Sequence, residues 1–109
     1  MITPLTYQIL LALADADRHG YGIIKEIEAR ASAASTPTTG ALYLALQRME
    51  VEGLIREAPG RARAGDDARR RYYRITRAGR AAAESESARL AALVAAARRK
   101  NLLPRGADA

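Results

Sequence analysis

The spacing of apolar residues changes at Gly53, and this change restricts the folds that the chain can adopt. Before Gly53, apolar side chains recur at helical spacing in the segments 4–14, 21–31 and 38–52. After Gly53, the short segments 54–58 and 71–75 contain residues that favour strands, such as the aromatic and β-branched ones of 71–75. A helical pattern returns over 77–100. The sequence therefore predicts three helices, a β-hairpin and a fourth helix.

Residues with special backbone roles mark the ends of these segments. Gly53 suits the left-handed position that ends a helix, and Pro4 suits the first position of one. Segment 15–20 is predicted to be a turn, and 31–37 and 59–69 are predicted to be loops. Threonines that can accept an unpaired backbone N–H stand at the expected helix starts: Thr3, Thr38 or Thr39, and Thr76.

Length and composition exclude several classes of protein. A chain of 109 residues fits one domain, and 49% apolar residues without Phe or Trp predict a light core of Leu, Ile and Tyr. No run approaches the roughly 20 apolar residues that cross a bilayer. The N-terminus lacks a charged start followed by a hydrophobic block. We therefore expect a soluble cytoplasmic protein that does not bind a membrane.

Catalytic and metal chemistry find little support in the sequence. The absence of cysteine excludes disulfides, Cys-ligated zinc and thiol catalysis. His19 is the single histidine, and because a metal site needs several ligands we interpret it as a turn residue. The chain shows neither a pairing of nucleophile and base nor a glycine-rich phosphate loop. The sequence predicts no enzyme activity, no metal and no cofactor.

Positive charge is concentrated in the second half of the chain. The formal net charge is +6, and nine arginines lie between residues 56 and 80 against Glu57, Asp66 and Asp67. Such a block can be an ordinary solvated surface or a consequence of coding bias. It can also be the electrostatic footprint of a nucleic-acid-binding protein.

The order of the elements favours the nucleic-acid interpretation. Three helices followed by a hairpin are the layout of a winged helix-turn-helix domain, in which the third helix lies in the DNA major groove. The basic block falls on the hairpin, which is the wing. The predicted fold is mainly α with a small β-hairpin: a DNA-binding domain at 1–76, a C-terminal dimerisation helix at 77–100 and a flexible tail at 101–109.

An ordered set of short motifs at these positions resembles the PadR family of bacterial transcriptional regulators. The resemblance covers about residues 3–100 and is to short members with a single C-terminal helix. It implies a homodimer that represses promoters and often responds to a small molecule. The motifs are His19-Gly20-Tyr21-Gly22-Ile23, Gly40-Ala41-Leu42-Tyr43, Leu46, Arg48-Met49-Glu50, Gly53-Leu54-Ile55, Arg70 to Thr76 and Ala78-Gly79.

The third helix supplies most of the candidate DNA contacts. Thr38 and Thr39 lie at its N-terminus, where free N–H groups and the helix dipole favour a phosphate, although plain capping is the alternative. Gln47 can pair bidentately with adenine, and Leu44 can touch a thymine methyl group. For both, an ordinary solvated position is the alternative.

Two tyrosines and an arginine are further candidates. Tyr43 can direct its hydroxyl to a phosphate or bury its ring in the core, and the resemblance favours DNA contact. Tyr21 is interpreted in the same way. Arg48 can reach the DNA backbone or pair with Glu52, four residues further on.

The wing contributes four candidate arginines. Arg61 and Arg63 at its tip are predicted to enter the minor groove or to contact phosphates. Arg70 and Arg71 lead into the second strand. Because neighbouring residues of a strand point to opposite faces, Arg70 and Arg71 cannot both face the duplex squarely.

A narrow apolar stripe on the last helix predicts dimerisation. We expect Leu90, Leu93, Val94 and Ala97 to pair with the same helix of a second chain about a two-fold axis, together with Leu5 and Ile9 of the first helix. Intramolecular packing is the alternative. A dimer would bind a palindromic operator in double-stranded DNA, with half-sites about 10 bp apart. The resemblance implies a small-molecule effector, and the expected place for it is a cavity between the last helix and the first.

Two other functions remain compatible with the sequence. A winged-helix module that binds a protein partner would show only weak, sequence-independent DNA binding. A nonspecific nucleoid or RNA-binding protein would need little more than the basic wing.

Overall fold

The computed structural model describes residues 2–30, 36–59 and 71–104. Their helices and strands follow the predicted order, with one additional strand. In chain order they are α1 (Pro4–Leu13), β1 (Arg18–His19), α2 (Gly20–Arg30), α3 (Thr39–Val51), β2 (Ile55–Glu57), β3 (Tyr72–Ile75) and α4 (Arg77–Arg99).

Threonine side chains begin three of the helices, as predicted. The hydroxyl oxygen of Thr3 accepts a hydrogen bond from the Thr6 N–H over 3.1 Å. Thr38 caps α3 through the Ala41 N–H, also over 3.1 Å, and Thr76 caps α4 through the Gly79 N–H over 3.0 Å. Each cap satisfies one of the four N–H groups that a helix start leaves without an intrahelical partner.

A left-handed glycine separates α3 from the hairpin. Gly53 has φ +78°, a conformation that glycine adopts without the steric cost of a Cβ. The Leu54 N–H then donates to the Met49 carbonyl over 2.9 Å, which closes the helix end. The predicted end of α3 is confirmed, and the chain turns directly into β2.

The sheet has three antiparallel strands in the order β1-β3-β2. β2 pairs with β3 as the predicted hairpin, with Ile55 opposite Ile75. Segment 15–20, however, is not only a turn, because Arg18 and His19 pair with Tyr73 and Tyr72 on the other edge of β3. Two residues are too few to show the alternation that identifies a strand in a sequence. β1 forms because β3 has a free edge with which these two residues can pair.

One apolar core joins α1, α2, α3 and the sheet. Its fully buried large side chains are Ile9, Leu10, Leu13, Ile23, Ile27, Leu42, Leu46, Met49 and Ile55. The prediction that Ile9 contributes to dimerisation is wrong, because Ile9 is 0% exposed inside a single chain. Leu5 is half-buried and packs at the edge of this core.

A close backbone approach fixes the start of α4. A Cβ at Gly79 would overlap the carbonyl oxygen of Leu54 and lie 3.0 Å from its carbonyl carbon. The residue at this position must therefore be glycine if α4 is to begin against the link between α3 and β2. From there α4 runs 23 residues, about 34 Å at the rise of an α-helix.

Most of α4 is not covered by the rest of the chain. Only Gly79 and Glu86 of this helix are buried, whereas Leu93 is 54% exposed and Val94 is 43% exposed.

Within the residues that the structure describes, none of the helices is both long and apolar enough to pass through a bilayer.

Candidate nucleic-acid interface

Helix α3 is buried on one side and open on the other. Its inner side places Leu42, Ala45, Leu46 and Met49 in the core. The α3 candidates for DNA contact are all exposed: Thr38, Thr39, Tyr43, Leu44, Gln47 and Arg48. The structure thus brings these predicted residues together along one helix. Val51, which the sequence analysis did not single out, is a further exposed apolar residue at the C-terminal end.

The Thr38 hydroxyl caps α3, which was the alternative to a DNA contact. It accepts a hydrogen bond from the Ala41 N–H. Because a helix N-terminus also favours an anion, capping and a nearby phosphate are compatible. A DNA contact by Thr38 or Thr39 stays a prediction.

Tyr43 is held against the start of α2. The ring packs on the backbone of Gly20 so closely that a Cβ there would lie 2.7 Å from the ring carbon Cζ. The Tyr43 side chain is nevertheless 47% exposed, so it is not a purely core residue. This contact places the phenol at the junction of α2 and α3.

Tyr21 lies next to that junction, in the first turn of α2, and is 55% exposed. The ammonium nitrogen of Lys25 lies 5.1 Å from the centre of its ring, within the range of a cation–π contact. The neighbouring Tyr21 hydroxyl raises the pKa of Lys25, and the Glu28 carboxylate raises it further. Lys25 is a cation at this surface that the sequence analysis missed, and its spacing of four residues from Tyr21 is the signal that could have found it.

His19 links α2 to the sheet. Its Nδ1 accepts the Gly22 N–H over 3.1 Å, and its ring meets the Tyr72 ring edge-on with centroids 5.1 Å apart. The predicted turn residue is thus a strand residue that also caps a helix start. Among the described residues, no three His, Asp or Glu side chains form a group that could hold a metal ion.

Two arginines in the described part of the wing, Arg71 and Arg74, lie in different environments. Arg71 is exposed immediately before β3. Arg74 instead binds Asp17, with Nη2 2.8 Å from Oδ2 and Nε 3.2 Å from both carboxylate oxygens. The Asp17 carboxylate raises the pKa of Arg74 through this hydrogen bonding and its charge. The predictions for Arg61, Arg63 and Arg70 lie outside the described residues.

A second feature lies between α1 and α4. A cavity of about 380 Å³ opens there, at the place where the sequence analysis expected one. It is lined by Ile2, Pro4, Tyr7, Gln8, Glu86, Arg89 and Leu90. Leu90 belongs both to this lining and to the apolar stripe of α4, so the cavity and the stripe adjoin.

The cavity wall contains a buried carboxylate. Glu86 is only 7% exposed and forms a two-pronged ion pair with the Arg89 guanidinium. The hydrogen bonds from Arg89 lower the pKa of Glu86, although burial opposes them. Beside them, the Oε1 atom of Gln8 is buried and has no hydrogen-bond partner within the described part of the chain.

Comparisons with known proteins agree with this architecture. The sequence profile described as the transcriptional regulator PadR-like family matches residues 9–85. An uncharacterised protein of Lysinibacillus sphaericus is 36% identical over 73 residues, which cover 67% of this chain and 65% of that protein. The chain thus spans slightly less than two thirds of this relative.

Solved structures show the same arrangement. A PadR family transcription regulator from Clostridium difficile superposes with a TM-score of 0.76 at 26% identity, covering 89% of this chain and 97% of that one. A transcriptional regulator from Clostridium thermocellum gives 0.72 at 25% identity, covering 91% and 97%. A PadR-like regulator from Bacillus cereus gives 0.71 at 24% identity, covering 93% of both chains, and this likeness shows the fold.

The predicted winged helix with a C-terminal helix is therefore confirmed, as is the resemblance drawn from the motifs. The family profile covers well over half of the chain and includes α2, α3 and the whole sheet. The chain belongs to the PadR-like family of transcriptional regulators.

Proposed function

We propose that the protein is a homodimeric repressor that binds a palindromic operator and is released by a small-molecule effector. The observation that carries this proposal is the open side of α3, where Leu44, Gln47 and Arg48 are exposed together. An α-helix presented in this way fits the major groove, which displays a distinct pattern for each base pair. The protein would act in the cytoplasm.

The residues beside α3 support the proposal that the protein contacts DNA phosphates. Tyr43 and Tyr21 hold their rings at the junction of α2 and α3, with Lys25 next to Tyr21. Hydroxyl and ammonium groups of this kind position a protein on phosphates without reading sequence. Arg71, exposed immediately before β3, would add a positive charge on the wing that attracts DNA phosphates.

Dimerisation is supported by the outer part of α4. Leu93 and Val94 are exposed although they are apolar, and Leu90 and Ala97 are half-buried on the same stripe. Pairing two copies of α4 about a two-fold axis would remove this apolar surface from water. It would also set two α3 helices about one turn of DNA apart, so half-sites would be roughly 10 bp apart.

Release by an effector is supported by the position of the cavity. The cavity lies between α1, which packs on the DNA-binding core, and α4, which would form the dimer. A molecule that bound there would change the angle between these helices and hence the spacing of the two α3 helices. Such an effector acts only if it binds one of the two arrangements more tightly than the other.

A selection and competition experiment tests the proposed function. Duplexes selected by the protein from random DNA should contain an inverted repeat, and at physiological salt the selected site should compete at least about a thousandfold better than random duplex. Sedimentation should show a dimer. Affinity for all duplexes alike would favour the nonspecific nucleic-acid-binding alternative instead. If the protein selected no DNA sequence and stayed monomeric, the proposal as a whole would be contradicted.

A further inference from the structure

The first part of α3 presents an outer side without charge. Between residues 39 and 47 the exposed residues are Thr39, Gly40, Ala41, Tyr43, Leu44 and Gln47, and Arg48 is the first charged residue of the helix. Guanine is most often read by Arg or Lys, and cytosine by a carboxylate that accepts from its amino group. These nine positions offer neither group. A base contact made here must use apolar, hydroxyl or amide chemistry.

Leu44 lies at the centre of this outer side. It is 67% exposed, with Ala41 one turn before it and Gln47 one turn after it. The helix cannot rotate to bury Leu44, because Leu42, Leu46 and Met49 fix the opposite side in the core. Any duplex that receives α3 in its major groove must therefore receive the Leu44 side chain at or near the base edges.

The major groove offers one matching group. The C5-methyl of thymine is the apolar substituent displayed there, and adenine offers the acceptor and donor that pair with Gln. We infer that Leu44 determines specificity by packing on a thymine methyl, with Gln47 reading an adjacent adenine, so that the operator is A·T-containing where α3 enters. This inference rests on the proposed DNA-binding function.

Replacing thymine with uracil in the operator tests the inference, because uracil lacks the methyl group and keeps every hydrogen-bonding group. The half-site is first obtained by selection from random duplex DNA with the wild-type protein, and each thymine is then changed singly to uracil. At one position per half-site, binding should weaken about four-fold, the effect of losing one buried methyl-sized group. Thymines outside the half-site serve as the DNA control.

Two protein variants connect the effect to Leu44. L44A should bind the thymine and uracil duplexes equally, since the packing partner is gone. L44M keeps the volume and apolar character of the side chain and should retain the preference for thymine. Both substitutions are at an exposed position, where substitutions generally change stability little. A thermal melt of each variant verifies that it is folded.

The outcomes separate this inference from the function on which it rests. If the protein selects an operator but no uracil substitution matters, if the half-site lacks thymine, or if L44A keeps the full preference, the inference is wrong and sequence-specific DNA binding stands. If no DNA sequence is selected at all, the proposed function fails and the inference fails with it.

Discussion

The phenol ring of Tyr43 lies directly on the backbone of Gly20, so α3 and α2 meet where no side chain intervenes. A Cβ at position 20 would overlap the Tyr43 hydroxyl and lie 2.7 Å from Cζ. The atoms that would clash are at the far end of a side chain that can rotate. A substitution at Gly20 would therefore displace the Tyr43 phenol rather than the backbone.

We predict that G20A weakens DNA binding and leaves the fold intact. Alanine is favoured over glycine in a helix, which offsets part of the cost of moving Tyr43. If the Tyr43 hydroxyl contacts a phosphate, its displacement should cost about 1 kcal/mol of binding free energy, roughly five-fold in affinity. Fluorescence anisotropy with operator DNA and a thermal melt measure the two effects.

A matched variant on the same helix serves as the control. At Gly22 the nearest atom to an added Cβ is Arg18 Cβ at 3.6 Å, an ordinary contact, so G22A should change neither measurement appreciably. Combining G20A with Y43F should add little to either variant alone, since both remove the same hydroxyl contact. Full additivity would contradict this account of Gly20.

Replacing Arg71 or Arg74 of the wing with alanine should affect different properties of the protein: DNA binding for Arg71 and stability for Arg74. Arg71 is exposed, and if it contacts a phosphate R71A should reduce the salt dependence of DNA binding by about one unit of slope without changing sequence preference. Arg74 is held by Asp17, so R74A should lower the melting temperature by breaking this ion pair and leave the salt slope unchanged.

Asp17 provides the control for the Arg74 part of this prediction. D17N removes the charge from the same pair and should also lower the melting temperature, while the double variant should be no worse than the single ones. A change of salt slope in R74A as large as that in R71A would show that Arg74 contacts DNA, against the prediction.

Much of this architecture follows from local sequence, and what does not follow depends on contacts between distant residues. Thr3, Thr38, Thr76 and Gly53 act within three or four residues of themselves, so their roles as caps could be predicted. The burial of Ile9 could not, because a helical stripe does not tell which neighbour will cover it.

Some features of the candidate site likewise follow from local sequence, whereas others depend on contacts between distant residues. The exposed positions of α3 follow from its helical period, whereas the packing of Tyr43 on Gly20 joins residues 23 positions apart. The strand β1 exists only because β3 offers it an edge, and its two residues carry no period of their own. The pairing of Arg74 with Asp17 likewise depends on that arrangement of the strands.

The pH dependence of stability should contain a contribution from Glu86. Arg89 lowers the pKa of Glu86 below its ordinary value of 4.5 in the folded chain. The ion pair therefore contributes its full stability above about pH 4.5, the value in the unfolded chain, and loses it as the pH falls through the lower pKa of the folded state.

E86Q tests this assignment by chemical denaturation at a series of pH values. The variant cannot titrate at this position, so its stability should fall less steeply than that of the wild type between pH 4.5 and the acid-unfolding range. E84Q, at an exposed position of the same helix, is the control and should follow the wild type. Parallel curves for wild type and E86Q would refute the role of Glu86.

The last prediction concerns the apolar stripe of α4, on which dimerisation depends. L93E places a charge where the proposed partner helix would cover it, and an unpaired buried charge costs at least about 3 kcal/mol, roughly a hundredfold in the dimer dissociation constant. In a single chain Leu93 is 54% exposed, so the monomer should remain folded. Analytical ultracentrifugation should show a monomer at micromolar concentration, and operator affinity should fall with it. A88E adds the same charge at an exposed position on the side of α4 opposite the stripe and should stay dimeric. If A88E dissociates and L93E does not, the dimer uses another face of the helix.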